Sequence, residues 1–287
     1  MQITKLTIND SLPLTCSRTG TCCFGKLVLL NPWELLSLAK AKKMSPSEFR
    51  DHYCENGGIR LRFNGEKDKL DQFSCSQYIP NFGCSVHEGR PLACRLYPLG
   101  RQIQNDEANY LFQGKDFPCL NGCPEVIELP KLTVGDYLSG QETSIFENIQ
   151  DAYLEIMQNI ADIGFALLLD TQLASSKETE TLKKWRELGE LDIESLVSFI
   201  GNDWIDTIML PEIYQTLHAK EFTEIHNELI QVKAQEKYEN LKTIPELSNA
   251  SIEIMAVALF LAKAIGANPS ELSDHWIEIA KSHGAKE

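Results

Sequence analysis

Nine cysteines occur in this chain of 287 residues, all before position 124, and eight of them fall in three tight groups. Cys16, Cys22 and Cys23 make the first, Cys75, Cys84 and Cys94 the second, and Cys119 and Cys123 the third. A chain of this length buries enough surface to be stable without staples, so a disulfide scaffold is a poor reading. The opening MQITKLTINDSLPLT lacks the basic and apolar blocks of a secretory leader. A cytoplasmic protein is expected, and in that reducing setting clustered thiols point to metal or catalysis. The longest apolar stretch, around Met255 to Ala264, falls short of the ~20 residues that span a bilayer.

Thiolate is a soft ligand, and all-sulfur sets select zinc or iron–sulfur clusters over magnesium and calcium. Eight thiols exceed the four that one zinc ion or one cubane cluster needs. Either two four-thiolate sites use all eight, or one site takes four to six and leaves the others buried or redox-active. The candidate ligands are therefore Cys16, Cys22, Cys23, Cys75, Cys84, Cys94, Cys119 and Cys123. Adjacent Cys22 and Cys23 point in different directions in helix or strand, which suits different metals or one ligand and one spare. Cys54 stands alone on a predicted helix and reads as a packed thiol.

Surplus thiols in basic surroundings favour an iron–sulfur cluster of the 4Fe–4S kind over a closed zinc site. Arg90 and Arg95, with Arg101 nearby, are placed to offset the negative charge of a thiolate-bound centre. An arginine beside a metal pocket is equally able to grip a substrate carboxylate as a two-pronged fork. His87 is expected near the ligands rather than among them. His218, His226, His275 and His283 share no ligand spacing and are expected on the surface. Tyr78 and Tyr97 read as wall residues, and Trp33, Trp185, Trp204 and Trp276 as core.

Asn31-Pro32-Trp33-Glu34 and Ser45-Pro46-Ser47-Glu48 each carry a helix start signal, and so does Asn268-Pro269-Ser270-Glu271. Ile59 to Phe63 alternates and precedes Asn64-Gly65, which predicts a strand entering a hairpin. From Asp71 to Pro130 prolines and glycines break every period, so bound metal is expected to organise an irregular stretch. After Leu132 apolar residues recur at steps of three and four, as at Phe146, Ile149, Tyr153, Ile156 and Ile160. The fold expected is mainly α with small irregular and β parts. A loop-rich, metal-bound domain at 1–132 is followed by an all-helical domain of six or seven helices at 133–287.

The net charge of −14 sits almost entirely in the second half. That acidity excludes nonspecific nucleic-acid binding and docking on anionic membranes. It reads as a solubilising surface or as a face for a basic protein or peptide. No GxGxxG, P-loop or GxSxG pattern occurs.

The cysteine loop ending in Cys22-Cys23, the spaced pair Cys75 and Cys84, and the run Arg90-Pro91-Leu92-Ala93-Cys94-Arg95-Leu96-Tyr97-Pro98 resemble the YkgJ-type cysteine-cluster proteins. That resemblance covers residues 16 to about 130 and implies chelation of zinc or iron. The usual opening is CxxCxxCC, and here Thr19 stands where one cysteine is expected. A wider first gap is similar to the FliB-type flagellin lysine N-methylases, which pair an iron–sulfur cluster with S-adenosylmethionine. This second resemblance implies a protein lysine methyltransferase, although no independent fingerprint for S-adenosylmethionine is present.

Overall fold

The computed structural model describes residues 4–12, 20–104, 107–112, 131–169, 178–213 and 218–286. Its short strands are β1 (Thr4–Leu6), β2 (Ser11–Leu12), β3 (Cys54–Glu55), β4 (Arg60–Leu61), β5 (Tyr78–Ile79), β6 (Gly83–Cys84), β7 (Leu99–Gln104), β8 (Glu107–Phe112) and β9 (Leu132–Thr133). The helices are α1 (Pro32–Lys42), α2 (Pro46–Tyr53), α3 (Leu92–Leu96), α4 (Val134–Gly140), α5 (Thr143–Leu169), α6 (Glu178–Glu190), α7 (Ile193–Ile200), α8 (Asn202–Met209), α9 (Ala219–Tyr238), α10 (Ile244–Ala264) and α11 (Pro269–Ser282). The protein is mainly helical, and among the described residues every strand lies at or before Thr133.

The helix starts follow from local chemistry. Asn31 Oδ1 accepts the Glu34 N–H at 3.0 Å, and Glu34 Oε2 accepts the Asn31 N–H at 3.0 Å. Two donors that α1 would otherwise leave unmet are satisfied reciprocally. Ser45 and Glu48 repeat the exchange at α2, and Thr243 and Glu246 repeat it at α10.

Two compact units form, each drawing on segments from both sides of residue 132. The first comprises residues 1–28, 37–53 and 61–147, and the second residues 29–36, 54–60 and 148–287. In the first, β7 and β8 make a hairpin, and β1 joins its β8 edge with Thr4 opposite Phe112. Strand β2 pairs with β9, and the Val134 and Gly135 amides donate to Asp10 and Ile8, which ties the N-terminal strands to the start of α4. The stretch after Asp71 is more regular than expected. It contains the β5–β6 hairpin, α3 and the β7–β8 hairpin, while residues 113–130 lie outside the described part.

The predicted hairpin at Asn64-Gly65 does not form. Strand β4 pairs backwards with β3 instead, across a turn in which Gly57 and Gly58 take φ of 72° and 113°. Those left-handed values are readily reached only by glycine.

The second unit is built on α10, which is buried almost continuously from Ile254 to Ala264 and packs on α6, α7 and α11. A helix apolar all round belongs in a core. Contrary to the length expected from the sequence, α10, which contains Met255 to Ala264, is long and apolar enough to cross a membrane by length and composition, and so is α5, with mean hydropathies of 1.4 and 1.3. In α10 72% of that window is buried, as in the core helix of a soluble domain. Trp185, Trp204 and Trp276 are fully buried, as expected, and Trp33 is half-buried.

His226 corrects an expectation. It is fully buried in α9, not at the surface. Its Nε2 lies 3.1 Å from the Thr207 carbonyl and its Nδ1 2.9 Å from the Tyr153 hydroxyl. A carbonyl only accepts, so Nε2 carries the proton and Nδ1 accepts from the tyrosine. Burial pushes the histidine pKa down to about 4 and the Tyr153 pKa well up. His218, His275 and His283 are exposed as expected.

Candidate metal centre

Local backbone structure places the thiols. Cys22 and Cys23 lie in a single tight turn, Thr21–Cys23, entered through Gly20 at φ 79°. A Cβ on Gly20 would come within 2.5 Å of the Tyr78 ring, so glycine is required by both conformation and space. The Cys75 N–H donates to the Cys23 carbonyl at 2.7 Å, which fastens the first cysteine group to the second. The β5–β6 hairpin sets Cys84 opposite Tyr78, and Phe24 braces Tyr78 edge-to-face at 5.0 Å. Cys94 sits in the first turn of α3, behind Pro91.

These elements surround one cavity of about 260 Å³. Cys22, Cys23, Cys75, Cys84 and Cys94 all line it, and all five are partly exposed. Tyr78 and Tyr97 form part of its wall, as expected, and His87 and Arg90 stand among its lining. Cys54 is buried elsewhere, in β3, and takes no part. Cys16, Cys119 and Cys123 lie outside the described residues.

The electrostatics describe thiols that face one another. Burial pushes Cys75 up to about 11, against an opposing hydrogen bond from the Gln77 amide, and nearby Cys84 and Cys22 raise it further. Burial raises Cys94 well above the ordinary value, and Cys22, Cys75 and Cys84 add to the rise. Cys84 is also raised by burial, with the Val86 amide, Arg90 and Lys42 acting in the other direction. Four sulfurs therefore sense each other's charge across the cavity. Even so, among the described residues no three Cys, His, Asp or Glu side chains already converge on a single metal position. The thiols line the space without closing on one point. Soft donors, mutual proximity and raised pKa values fit a soft cation, whose charge removes the penalty of gathering thiolates.

The two arginines do different things. Arg90 faces the cavity and lowers both Cys84 and Cys94; its Nε donates to the His87 carbonyl at 2.8 Å and one Nη to Gln141 Oε1 at 3.2 Å. Arg95 is buried and turned away. Its guanidinium donates to the backbone carbonyls of Arg90 and Gln141 at 2.8 Å each and to that of Glu88, and it lies 4.1 Å from the Phe146 ring centre. Glu142 approaches it at 3.6 Å. Arg101 is likewise turned to Glu147, at 4.0 Å. A close backbone approach completes the frame: a Cβ on Gly89 would meet the Ser37 carbonyl of α1 at 2.5 Å.

Residues 15–112 match the CxxCxxCC family model, described as "Putative zinc- or iron-chelating domain". The match covers about a third of the chain and contains every cysteine of the first two groups. Cys119 and Cys123 fall outside it. In this CxxCxxCC segment the second cysteine of the name is Thr19, and the closing pair is Cys22-Cys23. The match agrees with the resemblance to the cysteine-cluster proteins and gives the segment a zinc- or iron-chelating character. No curated protein and no solved structure matches the chain.

Two residues that the spacing did not mark are Lys26 and Lys42. Lys26 lies 3.0 Å from the Tyr97 ring centre at the cavity wall, and Lys42 acts on Cys84 while donating to Ser85 Oγ at 3.1 Å. Both come from outside the cysteine groups, so only the fold brings them in.

Proposed function

We propose that the first unit binds metal in this cavity through Cys22, Cys75, Cys84 and Cys94, with Cys23 beside them. The observation that carries this reading is the placement of Cys22, Cys75, Cys84 and Cys94 around one cavity. A structural zinc site is closed, with four sulfurs packed around one ion. Here the thiols stand around about 260 Å³ of open space. That room favours a 4Fe–4S cluster over a single zinc ion, and Arg90 supplies the neighbouring donor and charge that tune such a cluster.

The methylase reading rests on resemblance. S-adenosylmethionine carries a sulfonium and an ammonium group, and the described lining includes no carboxylate to meet them. Metal binding is therefore the function put forward, with the acidic second half offered to a basic partner.

The deciding experiment is anaerobic purification followed by a visible spectrum and elemental analysis for iron, zinc and acid-labile sulfide. A coloured protein with sulfide matching iron supports the cluster. A colourless protein holding zinc replaces the cluster with a zinc site in the same cavity. A protein with neither metal overturns the proposal.

A further inference from the structure

Helix α9 has two unlike sides. Phe222, Thr223, His226, Ile230, Ala234 and Tyr238 are buried. At about 100° of rotation per residue, the line opposite them runs through Glu221, Glu228, Val232 and Glu239. Glu224, Ile225, Leu229 and Glu236 border that line. Leu229 is 40% exposed and Val232 52% exposed. With half-buried Ile225 they recur at steps of four and three, one apolar stripe open to water. A single exposed leucine is ordinary, but three apolar residues on one stripe make a seat for another apolar face.

The charge beside that stripe is of one sign. Glu221, Glu224, Glu228, Glu236 and Glu239 are all exposed along it. Of the five, only Glu224 makes an ion pair among the described residues, with Lys220 at 3.7 Å. The other lysines of the helix, Lys233 and Lys237, are turned aside to Asp203 at 2.7 Å and Glu253 at 2.6 Å. Glu224 and Glu228, like Glu236 and Glu239, stand one turn apart, where like charges repel. A partner that brings cations relieves this repulsion, whereas a second copy docking through the same face would oppose these carboxylates with its own. Nucleic acid and anionic lipid are repelled in the same way.

We infer that this face of α9 docks a basic amphipathic helix of a partner protein. Ile225, Leu229 and Val232 receive the apolar stripe of that helix, and its Lys and Arg side chains reach the glutamates around them. An apolar centre with a charged rim is the common arrangement of such a contact. Glu221 and Glu239 are separated by about 27 Å of helix at 1.5 Å per residue, which sets the length of the partner segment. The inference rests on the reading of the acidic half as a surface for a basic partner, and it is independent of the metal.

The test uses the full chain as purified and a labelled peptide of about 18 residues, the span at 1.5 Å each, with leucines at helical steps and Lys and Arg elsewhere. A peptide of the same composition, reordered so that no stripe forms, is the control. Binding is followed by fluorescence anisotropy at about 0.15 M salt, where a screening length of about 8 Å damps the field of the acidic half as a whole. The patterned peptide is expected to bind about tenfold more tightly than the reordered one, and to gain helix on binding. Leu229→Gln with Val232→Gln removes the stripe and keeps good helix formers, and Glu221→Lys with Glu228→Lys reverses the charge; each pair is expected to weaken binding about tenfold. Glu180→Lys with Glu278→Lys, exposed on α6 and α11, is expected to change it by less than about twofold. Circular dichroism and metal content are recorded for every variant to show that the fold is kept. Equal binding of the two peptides, or unchanged binding in either α9 pair, overturns the inference. If the α6 and α11 pair weakens binding in their place, a basic partner stands but docks elsewhere. No binding of either peptide removes the basic partner as well. Dimerisation of the chain that Leu229→Gln with Val232→Gln abolishes assigns the face to a second copy and likewise overturns the inference.

Discussion

Metal binding by buried thiols is proton exchange, and the structure sets its size. Ligand thiols must lose their protons, so each one bound makes apparent affinity rise tenfold per pH unit below its pKa. Four thiols then give about four decades per pH unit, or about 5.5 kcal/mol. Cys75 is pushed from 9.0 to about 11, chiefly by burial. At neutral pH that rise costs zinc affinity about 3 kcal/mol relative to an unperturbed thiol. It also keeps Cys75 protonated beyond pH 9, so its share of the slope continues where a free thiol would flatten. In the metal-free chain the sign reverses. The folded state holds this proton more tightly than the unfolded state, so the thiol's contribution is complete below pH 9 and is lost as pH rises through about 11. Competition with a chromogenic zinc chelator between pH 6.5 and 8.5 measures the slope. Calorimetry in buffers of different ionisation heat counts the protons released. Four are expected from the native chain and three from Cys75→Ser. Release of one proton or none, or an unchanged slope in Cys75→Ser, refutes the four-thiol site.

Cys94→Ser is expected to lower bound metal sharply, while Cys54→Ser, remote from the cavity, leaves metal content unchanged and costs about 1 kcal/mol in thermal unfolding. His226 is held neutral, with its pKa pushed from 6.5 to about 4, so stability present above pH 6.5 is lost as pH falls through about 4. Urea unfolding of the helical unit should lose about 2 kcal/mol between pH 7 and pH 5 from this group, and His226→Gln should flatten that slope. Arg95→Ala leaves three carbonyl acceptors unmet and should cost about 3 kcal/mol. Arg95→Lys should fail to rescue it in the same melting assay, because an ammonium cannot reproduce the planar fork.

What was legible in the chain was what local chemistry decides. Helices α1 and α11 begin where Asn31 and Asn268 and their following prolines say they must, because a cap and a fixed φ act within four residues. The apolar stretch from Met255 to Ala264 was read only against a bilayer span, and its burial as the centre of the second unit came from the fold. The β3–β4 pairing was missed because Gly57-Gly58 competed with Asn64-Gly65 as the turn, and only tertiary contact chooses between them. His226 was misread as a surface residue, yet Phe222, Ile230 and Ala234 stand at steps of four around it and mark a buried stripe. At the site, eight thiols were candidates with one site or two left open, and the fold sets five of them, Cys22, Cys23, Cys75, Cys84 and Cys94, around one cavity. Arg95 was expected to face the thiols and is bonded to backbone on the other side. Sequence proximity to Cys94 could not reveal this, since adjacent helical residues diverge by about 100°.

That divergence has a consequence for α3. Cys94 looks into the cavity, and its neighbour Arg95 clamps residues 88, 90 and 141 behind it. The helix is thus a two-sided key, cut on one edge for the ion and on the other for the wall that holds it. One residue added between Pro91 and Cys94 would turn both edges together, withdrawing the sulfur and unlocking the wall in a single step. The length of this interval is as much a part of the binding site as the cysteine it carries.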